Sequence, residues 1–214
     1  MTTLLDVFAT PRNAASRTQK LRQAFLKGYA ERHPGFVHVS VDLGAIHAEL
    51  PAFDAWDIQA KFEMAYGEGK LDEVGAKRWD ALMRRTDQLH ACDHLLVTAP
   101  MWNLSIPWML KKWIDVVVQG RLTFEYTNGA FKGLLAGRGA TILTTRDGVY
   151  GPGTPHAAMD FGVPYLKTIL GFIGFDPVEA VIAEPMVLGG PEVGAAALEA
   201  GILKAGAMGL GAQR

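Results

Sequence analysis

The chain has 214 residues, 49% of them hydrophobic and 20% charged, with a formal net charge of -1. That length suffices to bury a core without staples, and the composition is that of an ordinary globular protein. The near-neutral balance gives no basis for nucleic acid or an anionic membrane as partner, and a single cysteine, Cys92, excludes an intrachain disulfide.

Met1 to Asp6 has neither the basic start nor the apolar core of a signal peptide, and no apolar run is long enough to cross a bilayer. The expectation is one cytoplasmic domain over residues 1–214. Leu4 to Ala9 reads as a short buried strand interrupted by Asp6. Ser16 to Arg32 reads as a helix with Leu21, Phe25 and Tyr29 on one stripe. Val37 to Leu43 alternates apolar and polar residues, as a strand near a sheet edge does. Residues 44–69 carry Phe53, Trp56, Phe62 and Tyr66 without one clean period, so they form either a lid or a packed excursion. Asp72 to Ala91 is a helix and His94 to Ala99 a third strand. Ser105 and Pro107 supply a cap and first turn for an amphipathic helix from Trp108 to Gln119.

Leu122 to Gly129 reads as a strand ending in an Asn-Gly turn, within a second excursion at about residues 120–133. Ala140 to Thr145 is a fourth strand, Tyr165 to Gly174 a helix, Val178 to Ala183 a fifth strand, and Pro191 to Gly206 an Ala-rich helix. Strands separated by helices imply crossover connections and a parallel sheet. Five of them most economically give a doubly wound, three-layer α/β/α arrangement of flavodoxin-like order 2-1-3-4-5. That order sets the loops after the first and third strands face to face across one crevice.

The first of these loops runs from Thr10 to Gln19. Ser16 at a helix start, the hydroxyls of Thr10 and Thr18, and Arg12 or Arg17 make a candidate anion cradle. No Gly-rich fingerprint or P-loop lysine is present, which favours a terminal phosphate held by side chains, as in a mononucleotide such as FMN. A plain Ser/Thr helix cap beside a solvated arginine is the simpler alternative. The second loop offers the thioether of Met101, the flat Trp102, the two-sided amide of Asn103, and Leu104, a surface suited to a planar heteroaromatic ring. After the fourth strand come Thr145, Arg146, Asp147 and Gly148. There Gly148 allows close approach, Arg146 meets the polar edge of a ring, and Tyr150 covers a face or shapes an entrance; the alternative is a surface Asp-Gly turn.

Other signals are discounted. His90, Cys92 and His94 straddle a helix end and a buried strand, so their side chains diverge and no metal site is expected. Cys92 reads as a small buried residue, and Lys111 and Lys112 as a solvated helix face. Gly151 to Pro155 lacks the last glycine of a dinucleotide motif. The absence of Gly-x-Ser-x-Gly counts against a serine hydrolase of the common α/β type.

Pro100-Met101-Trp102-Asn103-Leu104, Lys111 and Asp115, Thr123 to Tyr126, Pro164-Tyr165-Leu166 and Leu170 to Gly174 together resemble the FMN-dependent NADH-azoreductase family, also called NADH:quinone oxidoreductases. The resemblance implies phosphate contacts at Thr10, Ser16, Arg17 and Thr18. It implies ring and ribityl contacts at Met101, Trp102, Asn103 and Leu104, and ring-edge contacts at Thr145, Arg146, Asp147 and Gly148. It also implies a homodimer whose active sites are completed at the subunit interface, with Tyr126 and the helix around Ile169 as pocket walls. Trp102, Leu104 and Asp147 depart from the family's usual tyrosine, phenylalanine and glycine. The implied reaction is ping-pong: NADH or NADPH reduces FMN, and a quinone or azo compound is then reduced. The cofactor carries that chemistry, so no side chain is needed as an essential acid or base. The competing readings are a flavodoxin-type electron carrier without nicotinamide activity and a flavin-free module on the same fold.

Overall fold

The computed structural model describes residues 1–211. Five strands, β1 (Thr3–Phe8), β2 (Val37–Asp42), β3 (His94–Thr98), β6 (Gly139–Thr145) and β7 (Val178–Ala183), form one sheet; β4 (Phe124–Thr127) and β5 (Ala130–Gly133) form a separate hairpin. The order β2-β1-β3-β6-β7, parallel throughout, is the expected 2-1-3-4-5 once the hairpin strands are left out of the count.

Alternation along the strands sorts the core into two layers. Leu5, Val7, Leu95, Val97 and Ile142 face one side, covered by α4 (Glu73–Ala91), α5 (Trp108–Val117) and α6 (Val163–Phe172). Leu4, Leu96, Leu143 and Val181 face the other, covered by α1 (Arg17–Arg32) and α7 (Pro191–Gly209). The polar Asp6 also sits on β1, fully buried. Arg22 of α1 meets its carboxylate at 2.5 Å and His38 of β2 at 2.8 Å, so the buried charge is matched from both neighbouring elements. The edge position expected for β2 is found.

Residues 44–69 pack through Ile46, Leu50, Phe53, Ala60 and Met64, while Trp56, Phe62 and Tyr66 stay exposed. The segment includes the end of α2 (Leu43–Ile46) and α3 (Ala55–Tyr66), whose Asp54 cap also binds Arg78 of α4 at 2.6 Å. The hairpin turns at Asn128 (φ 53°) and Gly129 (φ 80°), the left-handed pair that an Asn-Gly turn supplies. Its base is rooted at the amino end of the sheet: Leu135 donates to the Ile173 carbonyl at 3.0 Å, and Arg138 Nη2 to the His90 carbonyl at 2.8 Å.

Two helix starts differ from expectation. Pro107, not Ser105, precedes α5, and no side chain caps it; Ser105 Oγ instead donates to the Phe161 carbonyl at 3.2 Å. α6 begins at Val163, two residues early, because Asp160 Oδ1 accepts from the amides of Gly162 and Val163 at 3.0 and 3.1 Å.

His90 and His94 do diverge. His90 Nε2 meets the Leu122 carbonyl at 2.7 Å and His94 Nε2 meets Thr141 Oγ1 at 2.9 Å. Burial holds the Cys92 thiol up at about 12, so it stays protonated and donates to the Leu89 carbonyl.

His94 makes stability pH-dependent. Burial first, then the positive Arg32 and His33, lower its pKa to about 4 from an ordinary 6.5. The unfolded chain therefore binds the extra proton between these values, so stability is complete above the unfolded pKa and falls as pH drops through this window. Between pH 7 and pH 5 the loss from this residue is about 2 kcal/mol. Denaturant unfolding at both pH values is expected to show that loss in the wild type and a smaller one in His94→Asn. Equal losses in both proteins would remove His94 as the cause.

Candidate active site

In an open parallel sheet, ligands bind beyond the carboxyl ends of the strands where the order reverses, here between β1 and β3. A crevice of about 170 Å³ lies there. One wall is the loop from Thr10 to Thr18, with Thr10, Arg12, Ser16, Arg17 and Thr18 all lining it. A single 3-10 turn over Asn13–Ala15, with Asn13 at φ 49°, steers the chain into α1. Ser16 caps that helix, its Oγ accepting from the Gln19 amide at 3.4 Å. The first-turn amides and the positive end of the helix dipole thus meet the crevice, where they favour an anion.

Buried polar groups normally find partners. Thr10 Oγ1 is buried and, among the described residues, has none, although Thr10 lines the crevice. Thr18 is tied to the opposite wall, its Oγ1 2.7 Å from Thr145 Oγ1 at the end of β6. Arg17 Nη1 donates to the Met186 carbonyl at 3.1 Å and lies 4.0 Å from the exposed carboxylate of Asp147.

The facing wall is Pro100, Met101 and Trp102. The Met101 amide donates to the Thr145 carbonyl at 3.0 Å, joining this loop to β6. Trp102 and Ser105 exchange two backbone hydrogen bonds of 2.9 Å around Asn103 (φ 46°) and Leu104 (φ 68°). This is a two-residue turn with both central residues left-handed, built without glycine. For leucine such a conformation costs about 1–3 kcal/mol, and strain of this kind concentrates at ligand sites. Asn103 and Leu104 sit at the tip of the turn and do not line the crevice itself.

The third loop is split. Thr145 and Asp147 line the crevice. Arg146 does not offer its side chain there: the guanidinium is turned inward to Asp160 at 2.6 Å and Glu184 at 3.3 Å. The charge demand of those two carboxylates, far away in sequence, overrides the expectation that it meets a ring edge. Gly148 is not in the left-handed region, and a Cβ there would lie a tight 3.2 Å from both Leu188 Cδ1 and the Tyr150 ring, side chains that would have to shift by a few tenths of an ångström. Tyr150 packs on that glycine and its amide donates to Glu184 Oε2 at 3.0 Å. Tyr126 lies on the hairpin at the opposite end of the sheet, exposed and against Phe131, so it is no wall of its own chain's crevice. Met186, a lining residue absent from the sequence reading, follows β7, and its strand-end position was the signal available.

A wider, mostly apolar hollow of about 440 Å³ lies beside the turn, between Ser105 and Ile106 on one side and Phe161, Pro164 and Tyr165 on the other. Burial, with Asp115 adding to it, pushes the Tyr165 phenol up to about 12, so it remains a hydrogen-bond donor.

Residues 2–207 match the model of a family described as having a flavodoxin-like fold. The chain is 37% identical over 192 residues to an FMN-dependent NADH:quinone oxidoreductase of Nitratidesulfovibrio vulgaris, covering 90% of each protein. It is 35% identical to an FMN-dependent NADH:quinone oxidoreductase of Bacillus anthracis, covering 87% of this chain and 88% of the relative. Its fold matches the crystal structure of an azoreductase from Bacillus anthracis str. Sterne with a TM-score of 0.89 at 31% identity, over 99% of this chain and 100% of that one. Among the described residues no helix is long and apolar enough to cross a membrane.

Proposed function

The chain belongs to the flavodoxin-like-fold family and within it to the FMN-dependent NADH:quinone oxidoreductases, and on that premise we propose that it reduces quinones and azo compounds with NADH or NADPH, through FMN held in the β1/β3 crevice. The observation that carries this reading is the buried, unpartnered hydroxyl of Thr10, just beyond β1 on the crevice wall, a donor that the chain itself leaves unmatched. Thr10, Ser16, Arg17 and Thr18 hold the phosphate, and Met101 and Trp102 with the Asn103–Leu104 turn hold the ring and ribityl chain. Thr145, Asp147 and Gly148 flank the ring edge, where the Arg146 side chain takes no direct part. Bound there, FMN supplies the redox chemistry, accepting hydride from the nicotinamide and passing electrons to the acceptor.

The protein's own work is to position and to exclude water. The apolar hollow by Phe161 and Tyr165 accommodates the aromatic acceptor, and the protonated phenol of Tyr165 offers it a hydrogen bond. One domain, acting as a homodimer, completes the reading: Tyr126 and Phe131 are exposed and far from their own crevice, so they are free to wall the partner's. The buried free thiol of Cys92 suits the cytoplasm.

The test is an anaerobic absorbance spectrum of FMN-loaded protein before and after NADH. Bleaching that benzoquinone reverses is the expected result. Bound flavin that neither NADH nor NADPH reduces would replace the enzyme with an electron carrier, and failure to bind FMN would end both readings. The same preparation sedimenting as a monomer would remove the dimer.

A further inference from the structure

Arg146 carries an inference that rests on the flavin reading above. Its side chain is only 1% exposed, a position a cation holds only with partners in place. It has two, on separate segments. Asp160 Oδ2 lies at 2.6 Å and Glu184 Oε2 at 3.3 Å. Each carboxylate also holds something else. Asp160 Oδ1 closes the first turn of α6, and Glu184 Oε2 accepts from the Tyr150 amide at 3.0 Å. The main chain extends the clamp. Arg146 donates to the Ala183 carbonyl at 3.1 Å, and its own carbonyl accepts from Met186 at 2.8 Å. Phe161, next to Asp160, donates to the Leu104 carbonyl at 2.9 Å, so the strained turn of the ring loop joins the same assembly. Among the described residues Arg146 Nε has no partner, and the residue lines a void of about 10 Å³ shared with Met101 and Ser105, room for about one water molecule.

We propose that Arg146 is a positioning residue for the crevice. By bridging Asp160 and Glu184 it holds residues 146–151, the start of α6 and the Trp102–Ser105 turn in one arrangement before any ligand arrives. Thr145, Asp147 and Met101 are then presented ready-made, and the ordering that binding would otherwise require is already done. Arg146 itself makes no bond to the ligand.

The test compares Arg146→Met, Arg146→Lys and Glu184→Gln by hydrogen exchange on flavin-free protein and by FMN fluorescence titration. In Arg146→Met the bonded amides of the clamped loops, those of Tyr150, Phe161 and Met186, exchange at least about tenfold faster while those of β1 keep their wild-type rate. The FMN Kd rises about tenfold or more, and Arg146→Lys, whose ammonium reaches one carboxylate, falls between the two. A folded Arg146→Met protein with wild-type exchange at these amides overturns the proposal. Loop and β1 accelerating together also overturns it, because that is loss of stability alone. Should Arg146→Met not fold, Glu184→Gln decides, faster loop exchange supporting the clamp and wild-type exchange refuting it. A wild-type protein that takes up no FMN would end the flavin reading and leave the exchange data to judge the clamp by itself.

Discussion

Gly28→Ala is expected to destabilise the protein by about 3 kcal/mol and to lower its Tm by roughly 6–12 °C. In an exposed helix the same change stabilises by up to about 1 kcal/mol, because alanine loses less backbone freedom on folding. Here the sign reverses because α1 and α7 touch through their backbones. A Cβ on Gly28 would overlap the carbonyl oxygen of Gly206, and one on Gly209 would overlap that of Phe25. Those atoms belong to helix backbones and have no rotamer to escape into, so the helices must part. Gly171 in α6 is the internal comparison, with nothing within 4 Å of its would-be Cβ. Gly171→Ala should hold or raise the Tm. Thermal unfolding followed by circular dichroism measures all three, and a Gly28→Ala protein melting at or above the wild type would refute the packing argument.

Arg17→Glu is expected to separate binding from stability. Arg17 is the first residue of α1, where a carboxylate agrees with the helix dipole better than a guanidinium does. Its pair with Asp147 is long, at 4.0 Å, and exposed on both sides, so its loss costs little. Thermal stability should stay within about 1 kcal/mol of the wild type. FMN affinity should not. Reversing a charge beside a phosphate at surface-like dielectric is worth about 3 kcal/mol, roughly a hundredfold in Kd, and the effect should shrink as salt is added. Riboflavin, which lacks the phosphate, serves as control and should bind both proteins alike. If FMN affinity changes by less than about threefold, or riboflavin weakens equally, Arg17 does not face the phosphate.

Local chemistry made much of this molecule readable. Ser16 before a stripe of Leu21, Phe25 and Tyr29 marked α1 within one residue, and Asn128-Gly129 marked the hairpin turn. The alternation of strands and helices, with the reversal rule, sets the loops Thr10–Thr18 and Pro100–Leu104 face to face, and Pro100, Met101 and Trp102 of the second do line the crevice. What stayed hidden depends on partners distant in sequence. Nothing near Arg146 signals that Asp160 and Glu184 will draw it inward. The same Asp160 moved the start of α6, since an Asx cap two or three residues ahead competes with the visible Pro164-Tyr165 pattern. The left-handed Leu104 is equally silent, because leucine advertises no such backbone and adopts it only under the pull of the Trp102–Ser105 bonds and Phe161. Tyr126 stays away from its own chain's crevice for a topological reason. Its hairpin hangs from the end of the sheet that faces away from the crevice.

The close fit of α1 against α7 also sets an order of events during synthesis. The crevice wall from Thr10 to Thr18 is encoded within the first twenty residues, yet α7, which packs on α1, is translated after every strand of the sheet, from Pro191 onward. A ribosome-bound chain that has already made every strand of the sheet covers Leu21 and Phe25 from the sheet side only, and Gly28, which meets Gly206 and Leu210, still faces water. The helix that carries Ser16, Arg17 and Thr18 is therefore fully covered only once α7 has been made, a helix that contributes no residue to the crevice lining.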